Sequence, residues 1–137
     1  MSQPVPVITV ESIMTTQVRF FTLTMNVREA IGMLVQHKIS GAPLVDGNQR
    51  VISVVTEGDL MKLAATAGIA KELGGCLDAL PKTDNLITAK RSDKFADVYR
   101  MFLTHRVHRV IVVDANGKLQ GLVSRTDVLK VLYAPTA

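Results

Sequence analysis

The chain repeats itself at a constant offset of 68 residues. Val54-Val55-Thr56-Glu57-Gly58-Asp59-Leu60 returns as Leu122-Val123-Ser124-Arg125-Thr126-Asp127-Val128. The register holds without a gap back through Asp46 and Asp114, His37 and His105, and Met33 and Met101. A repeat of this length means two copies of one supersecondary unit, each too small to bury its own apolar face. The 137 residues therefore make one ordinary domain of two fused half-domains sharing a core. What repeats is also chemical: an apolar strand ends in a hydroxyl residue, and an aspartate follows three positions later. Two such places related by a pseudo-twofold suggest ligand binding between the copies.

Both copies read β-α-β-β-α. In the first, Val18 to Phe21 is a short strand candidate. Asn26-Val27-Arg28-Glu29 then has the pattern of a capping box opening a helix. Val27, Ala30, Ile31, Leu34 and Val35 form one apolar stripe along that helix. Ala42-Pro43-Leu44-Val45 reads as a strand with Pro43 near its start or at a sheet edge. Asp46-Gly47-Asn48 turns the chain, Val51 to Val55 returns, and a second helix runs from about Glu57 to Ala65. The second copy has its helix stripe at Phe95, Val98, Tyr99, Phe102 and Leu103. Its strands run Val110 to Val113 and Leu119 to Val123, joined through Asp114-Ala115-Asn116-Gly117, whose Asn-Gly is a hairpin signal.

The spacing divides the chain into a first repeat with its lead-in (1–67), a connecting segment (68–83) and a second repeat (84–137). Gly68, Gly74, Gly75 and Pro81 limit the connector to short helical turns. Thr9 to Thr15 forms one helical turn leading into the first copy, and Leu77-Asp78-Ala79-Leu80 is expected to play that part before the second.

Composition narrows the class. Apolar residues make up 47% and aromatic ones only 4%, so the core is aliphatic. No stretch approaches the roughly 18 apolar residues that span a bilayer. Met1 to Pro6 has neither a basic region nor an apolar one, so no secretory signal is expected. Cys76 is the single cysteine and has no CxxC partner, which fits a reducing, cytoplasmic location. The net charge of +4 resides in the second half: residues 1–83 hold seven Lys/Arg and seven Asp/Glu, residues 84–137 nine and five. A basic half suits nucleic acid, an anionic surface or a small phosphorylated ligand, or is simply a solvated face. No Lys/Arg run and no basic stripe interleaved with aromatics favours nucleic acid.

The repeated [Ser/Thr]-x-x-Asp carries two readings. It is the pattern of a helix N-terminal capping box, worth about 1 kcal/mol of local stability. It also places a hydroxyl, free N–H groups and the positive end of a helix dipole where phosphate binds, with a carboxylate suited to two vicinal hydroxyls. That set describes a nucleotide, and Gly121 before the second motif would let a ligand approach the backbone closely. His37 and His105, at equivalent helix ends, suit the negative end of the dipole better than metal ligation. Three histidines without H-x-x-E or cysteine clustering make no metal site. Cys76 and the six methionines read as packing, and no nucleophile–base pair or catalytic carboxylate pair survives the strand and helix placement.

Across about residues 7–134 the chain resembles the CBS-domain pair, or Bateman module. The resemblance rests on Gly121-Leu122-Val123-Ser124-Arg125-Thr126-Asp127, on Val5-x-x-Ile8 to Ile13-Met14-Thr15, and on His37-Lys38-Ile39-Ser40-Gly41-Ala42-Pro43-Leu44-Val45-Asp46. Val107-His108-Arg109-Val110-Ile111-Val112-Val113-Asp114 is similar to the last repeat of the γ subunit of AMP-activated kinase, where the matching His-Arg pair touches nucleotide phosphates. The resemblance implies an α/β fold of two β-α-β-β-α repeats packed as a pseudo-twofold pair, with clefts that draw on both copies.

One nucleotide site would then take Leu122, Ser124, Arg125, Asp127, His108 and Arg109 from the second copy. Ile39, Ser40 and Gly41, with backbone from Gln17 to Arg19, would complete it. The other would use Val54, Thr56 and Asp59, with Val107 and His108 opposite. The chain departs from the family pattern at the latter. Ser53 replaces the usual glycine, Glu57 stands where the second copy has Arg125, and Arg109 occupies the small-residue position of Gly41.

The resemblance implies a regulatory adenine-nucleotide module with no catalytic residues, no required cofactor and no metal. It would sense AMP, ADP, ATP or a related adenosyl compound, form a homodimer and act on a protein effector. A ligand-free dimerisation module and, on the basic half alone, an RNA-binding accessory domain are the alternatives.

Overall fold

A computed structural model describes residues 7–134, the Asp84 side chain excepted. Met1 to Pro6, read above as free of a secretory signal, and Val5 of the entry motif lie outside the described residues. The described chain forms two compact units, one of residues 19–86 and one of residues 7–18 with 87–134.

In the first unit, β1 (Phe21–Thr22), β2 (Gly41–Val45) and β3 (Val51–Thr56) form a sheet in that order, β1 parallel to β2 and β3 antiparallel to it. Two helices pack on the sheet, α2 (Val27–His37) and α3 (Glu57–Thr66). The label α1 belongs to the short lead-in helix Val10–Ile13 of the other unit. The capping box at α2 forms as its sequence dictates: Glu29 N–H donates to Asn26 Oδ1 at 2.8 Å, and Asn26 N–H to Glu29 Oε1 at 3.2 Å. Val27, Ala30 and Leu34 turn inward onto Phe21, Leu44, Val55 and Leu60. Val35, included in the apolar stripe, points outward and is 71% exposed, so the stripe is wider than the core it covers.

The second unit repeats the plan with β4 (Thr88–Ala89), α4 (Phe95–His105), β5 (Arg109–Val113), β6 (Leu119–Ser124) and α5 (Arg125–Tyr133). The correspondence extends to backbone detail. The β2–β3 register shifts between Leu44 and Val45, and the β5–β6 register between Val112 and Val113. Helices α2 and α4 both end in a left-handed residue, Lys38 at φ 53° and Arg106 at φ 52°. The β-turns put Gln49 at φ 66° and Gly117 at φ 79°.

Two local expectations change. The first strand begins at Phe21 rather than Val18, because β1 is held only through its pairing with Leu44 and Val45. Pro43 lies within the central strand rather than at an edge. Glu57 N–H donates to Ser40 O, which makes Gly41–Thr56 and hence Pro43–Val54 non-hydrogen-bonded pairs. The missing N–H of Pro43 therefore faces away from β3, on the side where β1 reaches only as far as Leu44.

The packing units also differ from the sequence repeats. Val10 is fully buried in the core of the second unit, with Val98, Val110 and Val123. Val10 N–H donates to Asp93 O, Phe95 N–H to Ile8 O, and Thr15 exchanges two backbone bonds with Leu122 at 2.8 and 2.9 Å. The lead-in expected to belong with the first repeat thus completes the sheet and core of the second. The connector, with two short 3₁₀ turns and a third (Thr83–Asn85) at its end, serves the first unit in the same way. It buries Leu73, Cys76 and Leu80 there and bonds Leu73 N–H to Met25 O and Gly74 N–H to Leu23 O. Among the described residues no helix is long and apolar enough to cross a membrane.

Candidate functional site

The junction from β6 to α5 gathers most of the second-copy residues singled out by the sequence. Ser124 is the N-cap of α5 in a complete capping box. Its N–H donates to Asp127 Oδ2 at 2.8 Å, its hydroxyl to the same oxygen at 3.0 Å, and Asp127 N–H returns to Ser124 Oγ at 3.2 Å. Arg109 opens β5 directly across the ladder from Ser124, so His108 and Arg109 stand beside the N-terminus of α5. Leu122 pairs with Ile111.

Asp127 has a further neighbour that the sequence reading missed. Thr15 Oγ1 lies 3.5 Å from its Oδ2, 112 residues away in sequence. The signal for it was already in the Ile13-Met14-Thr15 entry motif, but nothing local to that motif shows which repeat the lead-in packs on. The bonds that the Asp127 carboxylate accepts, from Ser124 and Thr15, all fall on Oδ2, leaving Oδ1 outside the cap. Asp127 also lines a pocket between α1 and α5 with Ile8, Ser12, Ile13 and Lys130. Arg125 does not share that pocket; with Arg106 and Val107 it lines a groove between α4 and α5.

The first unit builds the equivalent junction at β3 and α3. Thr56 N–H and its hydroxyl each donate to Asp59 Oδ2 at 2.9 Å, and Asp59 N–H reaches Thr56 Oγ1 at 3.4 Å. Gly41 is opposite Thr56, and Val54 opposite Pro43. Ile39, Ser40 and Gly41 therefore stand next to Thr56 and Asp59 in one unit, while Val107, His108 and Arg109 stand next to Ser124 and Asp127 in the other. Ile39 and Val107 each pack on their own unit's core.

Gly121 has a different purpose from the one expected. A Cβ there would meet Thr15 O at 2.9 Å and Met14 Sδ at 2.8 Å. The close approach it permits is that of the chain's own lead-in. Ser53 occupies the matching place, is 1% exposed, and donates its hydroxyl to Pro81 O at 2.9 Å. The serine that departs from the family glycine thus ties down the connector, as the glycine seats the lead-in.

Asp114 is held below the usual carboxylate range, chiefly by the Lys118 N–H at its carboxylate, with the Asn116 N–H and the charges of Lys118 and Lys90 adding to it against desolvation. Among the described residues no group of three or more His, Cys, Asp or Glu could hold a metal ion.

Comparison with known proteins supplies the family. The model of the CBS domain matches twice, over residues 10–66 and 78–134. Inosine-5'-monophosphate dehydrogenase of Aquifex aeolicus is 27% identical over 111 residues, which cover 81% of this chain and 22% of the dehydrogenase. The chloroplastic CBS domain-containing protein CBSX2 of Arabidopsis thaliana is 27% identical over 130 residues, 77% of this chain and 54% of that protein. The chain thus spans about a fifth to a half of these relatives' length. Among solved structures, CBSX2 in complex with AMP aligns with a TM-score of 0.77 at 28% identity, covering 91% of this chain and 96% of that one. A CBS domain pair solved with 5'-methylthioadenosine and S-adenosyl-L-methionine shares the fold, with a TM-score of 0.75 at 21% identity over 93% of this chain and 97% of that one. With two matched copies that together take up most of its length, this chain belongs to the CBS-domain family.

Proposed function

We propose that this protein is a regulatory module that binds an adenine nucleotide or related adenosyl ligand at the β6–α5 junction, and that it is not an enzyme. The observation that carries the reading is the arrangement around Asp127. A capped helix N-terminus at the positive end of its dipole, a carboxylate with Oδ1 outside the cap, and His108–Arg109 beside it are the chemistry that ribose and phosphate require. The likeness to an AMP-bound CBSX2 at 28% identity supports the ligand class.

In this proposal Asp127 takes the ribose hydroxyls, Ser124 and the α5 N–H groups take phosphate with His108 and Arg109, and Leu122 supplies apolar contact. Arg125 contributes by charge. Ile39, Ser40 and Gly41 enter through the family resemblance. The Val54, Thr56, Asp59 and Val107 set is a weaker second site, because Glu57 sets a negative charge at the helix end where a phosphate would bind. Ligand binding biases one conformation over another, and a protein effector reads the difference. We place the module in the cytoplasm, where the unpaired thiol of Cys76 suits a reducing environment. We also propose a homodimer, since Val35 and Met61 are 71% and 73% exposed on one helical face and Leu103 and Leu129 69% and 61% on another.

A thermal-shift panel with AMP, ADP, ATP, NAD and S-adenosylmethionine tests the ligand. A ligand at a hundred times its Kd stabilises by about 2.7 kcal/mol. Asp127→Ala should abolish most of the shift and Asp59→Ala little of it; equal losses would overturn the ranking of the sites. The ligand-free dimerisation module remains the second reading, favoured by the fact that both capping boxes are complete without ligand. No shift with any member of the panel would establish it in place of the first.

A further inference from the structure

The lead-in segment holds to the second unit by one buried side chain and a short ladder of backbone bonds. Its helix α1 is a single turn, and the N-cap residue, Thr9, makes no side-chain cap. A helix so short has no stability of its own and exists only while docked. Val10 is fully buried, with Ile13 and Met14 half-buried against the same core. The backbone adds Val10 N–H to Asp93 O, Glu11 N–H to Arg91 O, Phe95 N–H to Ile8 O and the paired bonds of Thr15 with Leu122. Glu11, Ser12, Thr15 and Thr16 are exposed. Segments attached in this way lie at the low end of local stability and open without the rest of the fold.

The same segment forms one side of the pocket at Asp127. Ile8, Ser12 and Ile13 line it together with Asp127, Lys130 and Val131 of α5, and Thr15 Oγ1 lies 3.5 Å from Asp127 Oδ2. Undocking would remove that wall and leave the carboxylate without its threonine neighbour. We infer that the lead-in, residues 7–15, is a strap whose docking is coupled to ligand binding at Asp127: an occupied site holds it down, and an empty one lets it open. This rests on the adenosyl-ligand site proposed above and names the element that moves in answer to it. The coupling runs both ways, because a wall that the ligand needs in place is a wall that the ligand holds in place. In the connector Thr83, 68 residues on from Thr15, donates its hydroxyl to Ile52 O at 3.1 Å instead, so the response belongs to the second unit.

Residue-resolved hydrogen exchange on the full chain, with and without AMP, tests this alongside thermal melting. Without AMP the amides of Val10, Thr15 and Leu122 should exchange about tenfold or more faster than those of Val110 and Val112 in the central strand of the same unit. Saturating AMP should slow the three about tenfold or more, while Leu73 and Gly74, whose amides bond the connector to the first unit, change by less than about threefold. In Asp127→Ala the effect of AMP on the lead-in should vanish. A melting temperature that AMP does not move would overturn the ligand site and the coupling with it. A melting temperature that AMP raises while the lead-in amides stay unchanged would overturn the coupling and leave the site standing. Lead-in amides that exchange no faster than Val110 and Val112, or slowing by AMP that persists in Asp127→Ala, would overturn the coupling in the same way.

Discussion

Replacing Gly121 by alanine should loosen the lead-in segment from the second unit. The added methyl would sit 2.9 Å from Thr15 O and 2.8 Å from Met14 Sδ. The thioether end can move, but the Thr15 carbonyl is fixed by the paired bonds to Leu122, Thr15 N–H to Leu122 O at 2.8 Å and Leu122 N–H to Thr15 O at 2.9 Å. Overpacking of this kind costs about 1–3 kcal/mol. If the strand of contacts opens to relieve it, each lost hydrogen bond adds about 0.5–1.5 kcal/mol. A total of about 2–4 kcal/mol follows, and at roughly 4–8 °C per kcal/mol for a unit of this size the melting temperature should fall by about 10 °C or more. Urea unfolding followed by circular dichroism measures the loss directly. The reverse change at the equivalent position, Ser53→Gly, serves as the comparison: it removes the Ser53–Pro81 bond without a clash and should cost about 1 kcal/mol. A Gly121→Ala protein within about 0.5 kcal/mol of wild type would show that the lead-in is not held against β6 as described.

Further consequences can be measured in the same way. Gly32 lies inside α2 with open space where a Cβ would stand, so Gly32→Ala should stabilise the chain by about 0.5–1 kcal/mol in urea unfolding. Gly117 at φ 79° and Gln49 at φ 66° share one turn position, so Gly117→Ala should destabilise by about 1–2 kcal/mol while Gln49→Gly is neutral or stabilising. The lowered pKa of Asp114 means that its contribution to stability is present above the carboxylate's ordinary titration range and is lost as pH falls through the folded-state value. Asp114→Asn should therefore be less stable than wild type at neutral pH, with the difference vanishing in acid titrations. A difference independent of pH would assign the effect to packing instead.

The fold was legible where local chemistry decides structure. Asn26 with Glu29, Thr56 with Asp59 and Ser124 with Asp127 each announce a helix start, and each forms its capping box. The apolar runs of β2 and β5 are buried throughout except at Arg109, as their composition requires. What the sequence hid was every relation set by distant packing. Nothing local to Val10 says that it completes the core around Val98 and Val123 rather than that of its nearest repeat. The reason for Gly121 and the reach of Thr15 to Asp127 depend on that same docking, so they were hidden with it. Likewise, the outward turn of Val35 follows from which neighbours α2 finds, since its spacing is that of a core residue.

The two helix starts also bear on the proposed difference between the two sites, in which the second repeat binds phosphate better than the first. Each carries a capping aspartate, but the first helical residue is Glu57 in α3 and Arg125 in α5. A glutamate there complements the positive end of the dipole and stabilises the helix by about 0.3–1 kcal/mol, while an arginine opposes it by a similar amount. In the first repeat the helix end is therefore satisfied by its own side chains, and an incoming phosphate meets a charge of its own sign. In the second, Arg125 adds a positive charge of its own to the positive end of the dipole, so an incoming phosphate would meet a charge of the opposite sign. In the proposed function, the residue that costs α5 a little stability is the one that would favour phosphate there. Glu57→Gln should accordingly weaken α3 without conferring binding comparable to the second site, because no arginine stands at the position matching Arg109, which in the first repeat is Gly41.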